Sequence, residues 1–298
     1  MRKILLTISL LLLFPLVGHT AACAVSSGVT TIADNACESQ PDSYGLEMYK
    51  MYLCTSAPTQ PTTTAAANLT AGGCVLVLDG GSANHLIVVC RSSGAETDRE
   101  GLSVVVVDAE AKGVVVKNNL LLDGSRAANI EFQDVFVSKE DLIGTLGQGA
   151  DTLDQLYAQA SVALSAEMLG SAQTAFEMTL EYLKVREQFG AKIGSFQGLK
   201  HRASRWFCEI ELSKSIVLKA LRAIDGDDPK KNKIAHACKA RLSSSFHLSG
   251  IEGVQMHGGI GVTDEHDIGL YMKRARVTEL LLGDEAFHRE KFAALSGY

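Results

Sequence analysis

The sequence has no excess of positive charge. Twenty-eight Lys and Arg stand against 34 Asp and Glu, a net charge of −6. Nothing here would neutralise a row of phosphates, which excludes non-specific nucleic-acid binding. There is no long apolar run either: the leading one, residues 4–17, is too short for a membrane span. No CxxC pair or His-rich spacing suggests a metal site. With 46 % apolar and 21 % charged residues, neither a disordered chain nor a disulfide scaffold fits. A length of 298 residues suits about two domains with a sizeable core.

Charge and proline are also unevenly placed. Residues 1–73 hold only Arg2, Lys3, Asp34, Glu38, Asp42, Glu47 and Lys50. Four of the five prolines, Pro15, Pro41, Pro58 and Pro61, precede residue 62. Arg2-Lys3, the apolar run and the small residues 20–24 make residues 1–24 a secretory-signal-like segment. Residues 25–72 are rich in Thr, Ser and Ala, and 58–67 (PTQPTTTAAA) reads as a linker. Cys23, Cys37, Cys54 and Cys74 crowd this region with Cys90 just after; any pairing among them is open.

From residue 73 the pattern becomes short β-branched runs: 74–78, 85–90, 102–107 and 114–116, then 129–137, separated by turn signals such as Asp79-Gly80-Gly81 and Asp123-Gly124. This spacing predicts a small antiparallel sheet or partial barrel over residues 73–148. After Gly149 helices take over. Asp151 and Asp154 are placed like a capping box. Leu153, Leu156, Tyr157, Ala160 and Leu164 then follow on one helical face to about Lys184. Further helices are expected over 196–223, from Asp228-Pro229 to about Gly258, and over 267–294. Cys208 and Cys238 read as core thiols. The fold class is therefore α+β: a small antiparallel β-domain, then an antiparallel four-helix bundle over 149–298.

Three segments carry a family resemblance. Residues 185–190 read VREQFG, followed by Ile193-Gly194-Ser195-Phe196-Gln197; residues 255–261 read QMHGGIG; and Tyr271-Met272-Lys273-Arg274-Ala275 precedes Gly283-Asp284 and His288-Arg289. In order and separation they resemble the C-terminal domain of acyl-CoA dehydrogenases. Leu78-Asp79-Gly80 and residues 127–132 (AANIEF) are similar to that family's middle β-domain. The resemblance covers roughly residues 73–298.

It implies FAD as cofactor. Arg186 offers a fork of donors suited to phosphate oxygens, and Phe189 a flat apolar wall. Gly258 and Gly259 lack a Cβ and let backbone N–H groups approach a pyrophosphate, with Gln255 adding an amide. His257 supports that loop. The implied cofactor-binding residues are Arg186, Gln188, Phe189, Gln255, Gly258, Gly259 and Asp284, shared across a subunit contact. The implied reaction is α,β-dehydrogenation of an acyl-CoA thioester, with a carboxylate taking the α-proton and the flavin the β-hydride. An electron-transfer flavoprotein would take the electrons, and a homo- or hetero-oligomer, a dimer of dimers, is expected.

The sequence departs from that pattern at the base. Most family members carry the catalytic Glu where this chain has Leu282; a minority carry it where this chain has Ala160. Glu167 and Asp284 are the candidate replacements, against ordinary roles: Glu167 pairing within the bundle, and Asp284 shaping the cofactor loop with Arg289. The resemblance also places an all-helical domain and the first β-domain strands where this chain has its Thr-rich start. Three readings follow: an acyl-CoA dehydrogenase, truncated or impaired; a non-catalytic flavin-sharing subunit of a heteromeric one; or an exported bundle without flavin. Flavin and CoA chemistry imply the cytoplasm, while the signal-like start implies export.

Overall fold

The computed structural model describes residues 53–54, 67–95 and 98–298. The signal-like segment, the PTQPTTTAA stretch, Cys23 and Cys37 lie outside them. The chain divides into two compact units, Met1–Gln155 and Leu156–Tyr298.

The first unit is built on β1 (Leu53–Cys54), β2 (Ala67–Leu78), β3 (His85–Arg91), β4 (Leu102–Asp108), β5 (Val114–Leu120), β6 (Arg126–Val137) and β7 (Leu142–Ile143). Two sheets form, in the orders β1-β3-β4-β7 and β2-β6-β5. All pairings are antiparallel except the two-residue β1–β3 match. Alternation supplies the core, because successive side chains point to opposite faces. Leu86, Val88 and Cys90 of β3 and Val105 and Val107 of β4 pack in one cluster with Ala128, Ile130, Phe132 and Val135 of β6. Burial pushes the Cys90 thiol up to about 11, so it is an inert core group. The expected five strands are present, but β2 begins at Ala67 rather than residue 74. That lead-in, residues 67–73, is long enough to pair along residues 131–137 of β6 despite Asn68, Gly72 and Gly73.

The helices are α1 (Ala150–Val185), α2 (Gln197–Asp225), α3 (Lys231–His257), α4 (Ile268–Leu280) and α5 (Glu285–Ala294). α1 starts in the first unit. There Asp151 and Asp154 form ion pairs with Arg99 at 2.6 and 2.7 Å. α3 starts after Asp228-Pro229 rather than on it: the Asp228 carboxylate accepts the Lys230 N–H at 2.7 Å, so these residues form the turn before the helix.

In the second unit α3 packs on α2, α4 and α5. Its buried stripe includes Ala235, Cys238, Leu242 and Phe246. Trp206 of α2 is fully buried, edge-on to Phe176 of α1 at 5.0 Å, and its indole N–H donates to Ser249 Oγ at 2.7 Å. Two expectations are corrected here. The fourth helix is two, broken at residues 281–284, where Leu282 (φ 60°) and Gly283 (φ 94°) both leave the right-handed region. Cys208 is exposed on α2; of the two helical cysteines only Cys238 is a core thiol, pushed up to about 11 by burial.

Candidate functional site

Arg186 is where α1 ends. Its N–H still reaches Tyr182 O at 2.9 Å, while its C=O accepts the Ile193 N–H at 2.9 Å. That second bond closes a two-strand ribbon, β8 (Glu187–Gln188) against β9 (Ala191–Lys192). The turn between them is Phe189 (φ 57°) and Gly190 (φ 76°). Two left-handed residues suit a tight hairpin, but a side chain at the first of them costs about 1 kcal/mol. That residue is a phenylalanine, 93 % exposed, touching only the edge of Phe196 at 6.1 Å among the described rings. The exposed Gln188 donates to its neighbour's carbonyl, Glu187 O, at 2.7 Å. Among the described residues the exposed Arg186 guanidinium makes no hydrogen bond or ion pair. The turn thus holds an exposed aromatic on a strained residue, three positions along from an exposed arginine.

The glycine pair ends α3. Gly258 (φ 65°, ψ −139°) turns the chain, its N–H on Gln255 O, and a 3-10 turn Gly258–Val262 follows. Gly261 is fixed by packing, since a Cβ there would lie 2.6 Å from Val254 O. Gly259 is different. Its φ is not left-handed, and a Cβ there would meet nothing within 4 Å. Gly170 and Gly198 share both properties, so the Gly259 backbone is open to approach without the space itself naming an occupant. Gln255 beside it is exposed.

The structure brings the two segments together. The Tyr182 ring, one turn before Arg186, stacks on His257 at 4.4 Å, and His266 stands 4.3 Å on from His257. Leu183 and Met256 share one core cluster. His257 Nδ1–H donates to Gly253 O at 2.8 Å. Burial lowers its pKa and keeps the ring neutral, so His257 acts as support for the loop above it.

The carboxylate candidates are all committed. Glu167 accepts from Arg274 at 2.8 Å, pairing α1 to α4. Asp284 caps α5, its Oδ1 accepting the Phe287 N–H at 2.9 Å. Arg289, expected beside it, pairs with Glu285 instead. Leu282 and Ala160 are each 2 % exposed, turned into the chain's own interior.

Sequence reasoning passed over the polar cluster around Leu282. Its carbonyl accepts from Tyr157 and from His288 Nε2, the latter at 2.8 Å. His288 Nδ1 lies 2.9 Å from His236 Nδ1. Lys239, fully buried, gives its three N–H donors to Ser243 Oγ at 3.1 Å and to Glu279 O and Gly283 O at 3.0 Å each. The signal was present: Lys239 stands four residues after Ala235 and three before Leu242, on the stripe that faces inward. Among the described residues no group of three His, Cys, Asp or Glu could hold a metal ion, and no helix is long and apolar enough to cross a membrane.

Comparison with known proteins bears on these features. The family model "Acyl-CoA dehydrogenase, C-terminal domain" matches residues 147–295. The chain is similar to acyl-CoA dehydrogenase IpdE2 of Mycobacterium tuberculosis, 42 % identical over 125 residues, 41 % of this chain and 37 % of that protein. It is similar to the mitochondrial short/branched chain specific acyl-CoA dehydrogenase of Bos taurus, 26 % identical over 66 % of this chain and 46 % of that protein. The chain thus spans less than half the length of either relative. Among solved structures, butyryl-CoA dehydrogenase from Megasphaera elsdenii superposes with a TM-score of 0.77 at 22 % identity, over 87 % of this chain and 66 % of that one.

Proposed function

The chain belongs to the acyl-CoA dehydrogenase family, and on that premise we propose that it is a flavin-sharing subunit of a heteromeric acyl-CoA dehydrogenase: it contributes cofactor contacts and leaves the proton-abstracting carboxylate to a partner chain. One observation carries this reading. Both family positions for the base hold buried apolar side chains, Leu282 and Ala160, and both substitute carboxylates are already bonded.

The residues present fit FAD. The Gly259 backbone is open to close approach, Phe189 is an uncovered aromatic, and the Arg186 fork is uncommitted and suited to a pyrophosphate. In this reading Arg186, Phe189, Gly258 and Gly259 hold the cofactor across a chain–chain contact, with Gln255 and Gln188 within the same rim. Asp284 orients the backbone near position 282. FAD when bound supplies the hydride acceptor at N5 for α,β-dehydrogenation of an acyl-CoA. An electron-transfer flavoprotein as electron acceptor is supported by a relative named caffeyl-CoA reductase-Etf complex subunit CarC. In this reading the chain acts in the cytoplasm, as part of a dimer of dimers.

A second reading keeps the base in this chain, at Glu167, whose side chain is 45 % exposed beside Arg274. One experiment separates the two. The purified chain is loaded with FAD and mixed anaerobically with a panel of acyl-CoAs. The subunit reading expects a bound, yellow flavin that stays oxidised until a partner chain is added. Bleaching by the chain alone, lost in Glu167→Gln, would establish the second. Failure to bind FAD at all would remove both.

A further inference from the structure

The Leu282 carbonyl shows which ring nitrogens carry hydrogen in the polar cluster around it. His288 of α5 is fully buried. Its Nε2 lies 2.8 Å from Leu282 O, and its Nδ1 lies 2.9 Å from Nδ1 of His236 on α3. A carbonyl oxygen only accepts, so His288 Nε2 carries a hydrogen. Burial and the nearby Lys239 charge hold the ring neutral, with its pKa well below the usual value. A neutral imidazole has one N–H, so His288 Nδ1 is a bare lone pair. The hydrogen between the rings therefore belongs to His236, whose Nδ1–H donates to His288. Both donors run one way, from α3 through α5 to the Leu282 carbonyl.

We propose that the His236–His288 contact is an acid-labile clasp between α3 and α5: it stays closed with one added proton at most, and a second parts the rings. This goes beyond the flavin reading and does not rest on it. The count follows from the lone pairs. Two neutral rings have two bare nitrogens, and the bond between the rings occupies one of them. A first proton leaves one N–H···N bond in place. With both rings charged, two N–H groups would face each other across 2.9 Å and two cations would repel. The surroundings do not soften that cost. The Tyr157 ring stacks on His288 at 6.0 Å, and the Phe287 ring stands edge-on to His236 at 6.2 Å. The titratable and charged groups on the packed elements are Tyr157 of α1, with its hydroxyl 3.3 Å from His288 Nε2, Cys238 and Lys239 of α3, Glu279 of α4 and Asp284 at the α5 cap. Lys239 opposes a charge on His288, and Glu279 and Asp284 act on Lys239.

The clasp fixes the sign of the pH dependence. Parted rings take protons near a pKa of about 6.5. Well above that value, parting the rings consumes none. Below it, the parted state holds two protons and the closed state one at most, so parting consumes at least one. Closure is therefore full above about 6.5 and is lost progressively as pH falls below it.

Hydrogen–deuterium exchange of the α5 peptide, residues 285–294, tests it from about pH 7.5 to about pH 5, corrected for intrinsic rates. The emission of Trp206, the chain's one tryptophan, reports that the bundle is intact. Wild-type protection should be constant above about pH 7 and fall at least about fivefold between about pH 6 and about pH 5. His288→Gln offers both bonds, an amide N–H for Leu282 O and an amide oxygen for His236 Nδ1–H, but takes no proton. Its protection should change by less than about twofold over the same interval. A flat wild-type profile, or a His288→Gln profile that falls in step with it, overturns the clasp. Should His288→Gln fail to fold, nitrogen NMR of the histidine-labelled wild-type chain decides. The clasp requires hydrogen on His288 Nε2 and on His236 Nδ1 at neutral pH. A neutral His288 protonated on Nδ1, or two charged rings in a chain whose α5 stays protected, overturns it.

Discussion

Two regions of the helical unit handle polar groups in opposite ways. At the end of α1 and of α3, Arg186, Gln255, Gly258 and Gly259 lie exposed, and Phe189 stands out in solvent on a strained turn. Around Leu282, every inward carbonyl has a donor and every donor of a buried lysine has an acceptor. Strain occurs in both, but only the Leu282 strain is repaid by contacts within the chain. The strain at Phe189 has no such return, which is why the first region reads as a place for another molecule and the second as closed structure.

The contrast can be broken most strongly at Lys239. Lys239→Ala strands two buried carbonyls and opens a cavity, and should cost about 3 kcal/mol in a denaturant titration. A loss under about 1 kcal/mol would mean the interior is not over-determined. At the rim, Arg186→Ala should weaken FAD binding by about 10- to 100-fold, the worth of a charge-assisted bond, with no measurable change in melting. A parallel loss of stability would make Arg186 structural. Phe189→Asn should raise stability by a few tenths of a kcal/mol, since asparagine tolerates the left-handed turn, while weakening the cofactor. If stability falls, the ring has a partner within the chain.

The smallest effect is acid sensitivity of the closed region. His288 is held well below its usual pKa by burial, Lys239 and His236, and His257 is lowered by burial. Native rings stay neutral where unfolded ones take a proton, so stability is full above about 6.5 and falls as pH drops below it. His288→Phe should flatten that acid limb relative to the wild type.

Much of this organisation was legible in the sequence. The apolar stripe of α1 and the Phe196 start of α2 set those helices within two residues of their observed ends, because burying one face needs a regular period. The Arg186 and Gly258-Gly259 motifs pointed to segments that do come together through Tyr182 and His257. What was hidden depends on tertiary context. Leucine carries no local signal for a positive φ, so the break at Leu282 could not be read; three side chains from α1, α3 and α5 impose it. Lys239 was passed over because lysine is almost never fully buried unless paired, and its partners are backbone carbonyls that no residue pattern displays. Cys208 was misplaced because a cysteine on an amphipathic helix is more often buried than not.

The most direct test of the open rim is an FAD titration, followed by flavin absorbance, of the wild-type chain and Gly259→Ala side by side. The added Cβ would meet nothing in the chain within 4 Å, so melting and Trp206 emission should be unchanged while affinity falls more than about tenfold. Equal affinity in the two chains would contradict the account, because the space beside Gly259 would then belong to solvent and not to the cofactor.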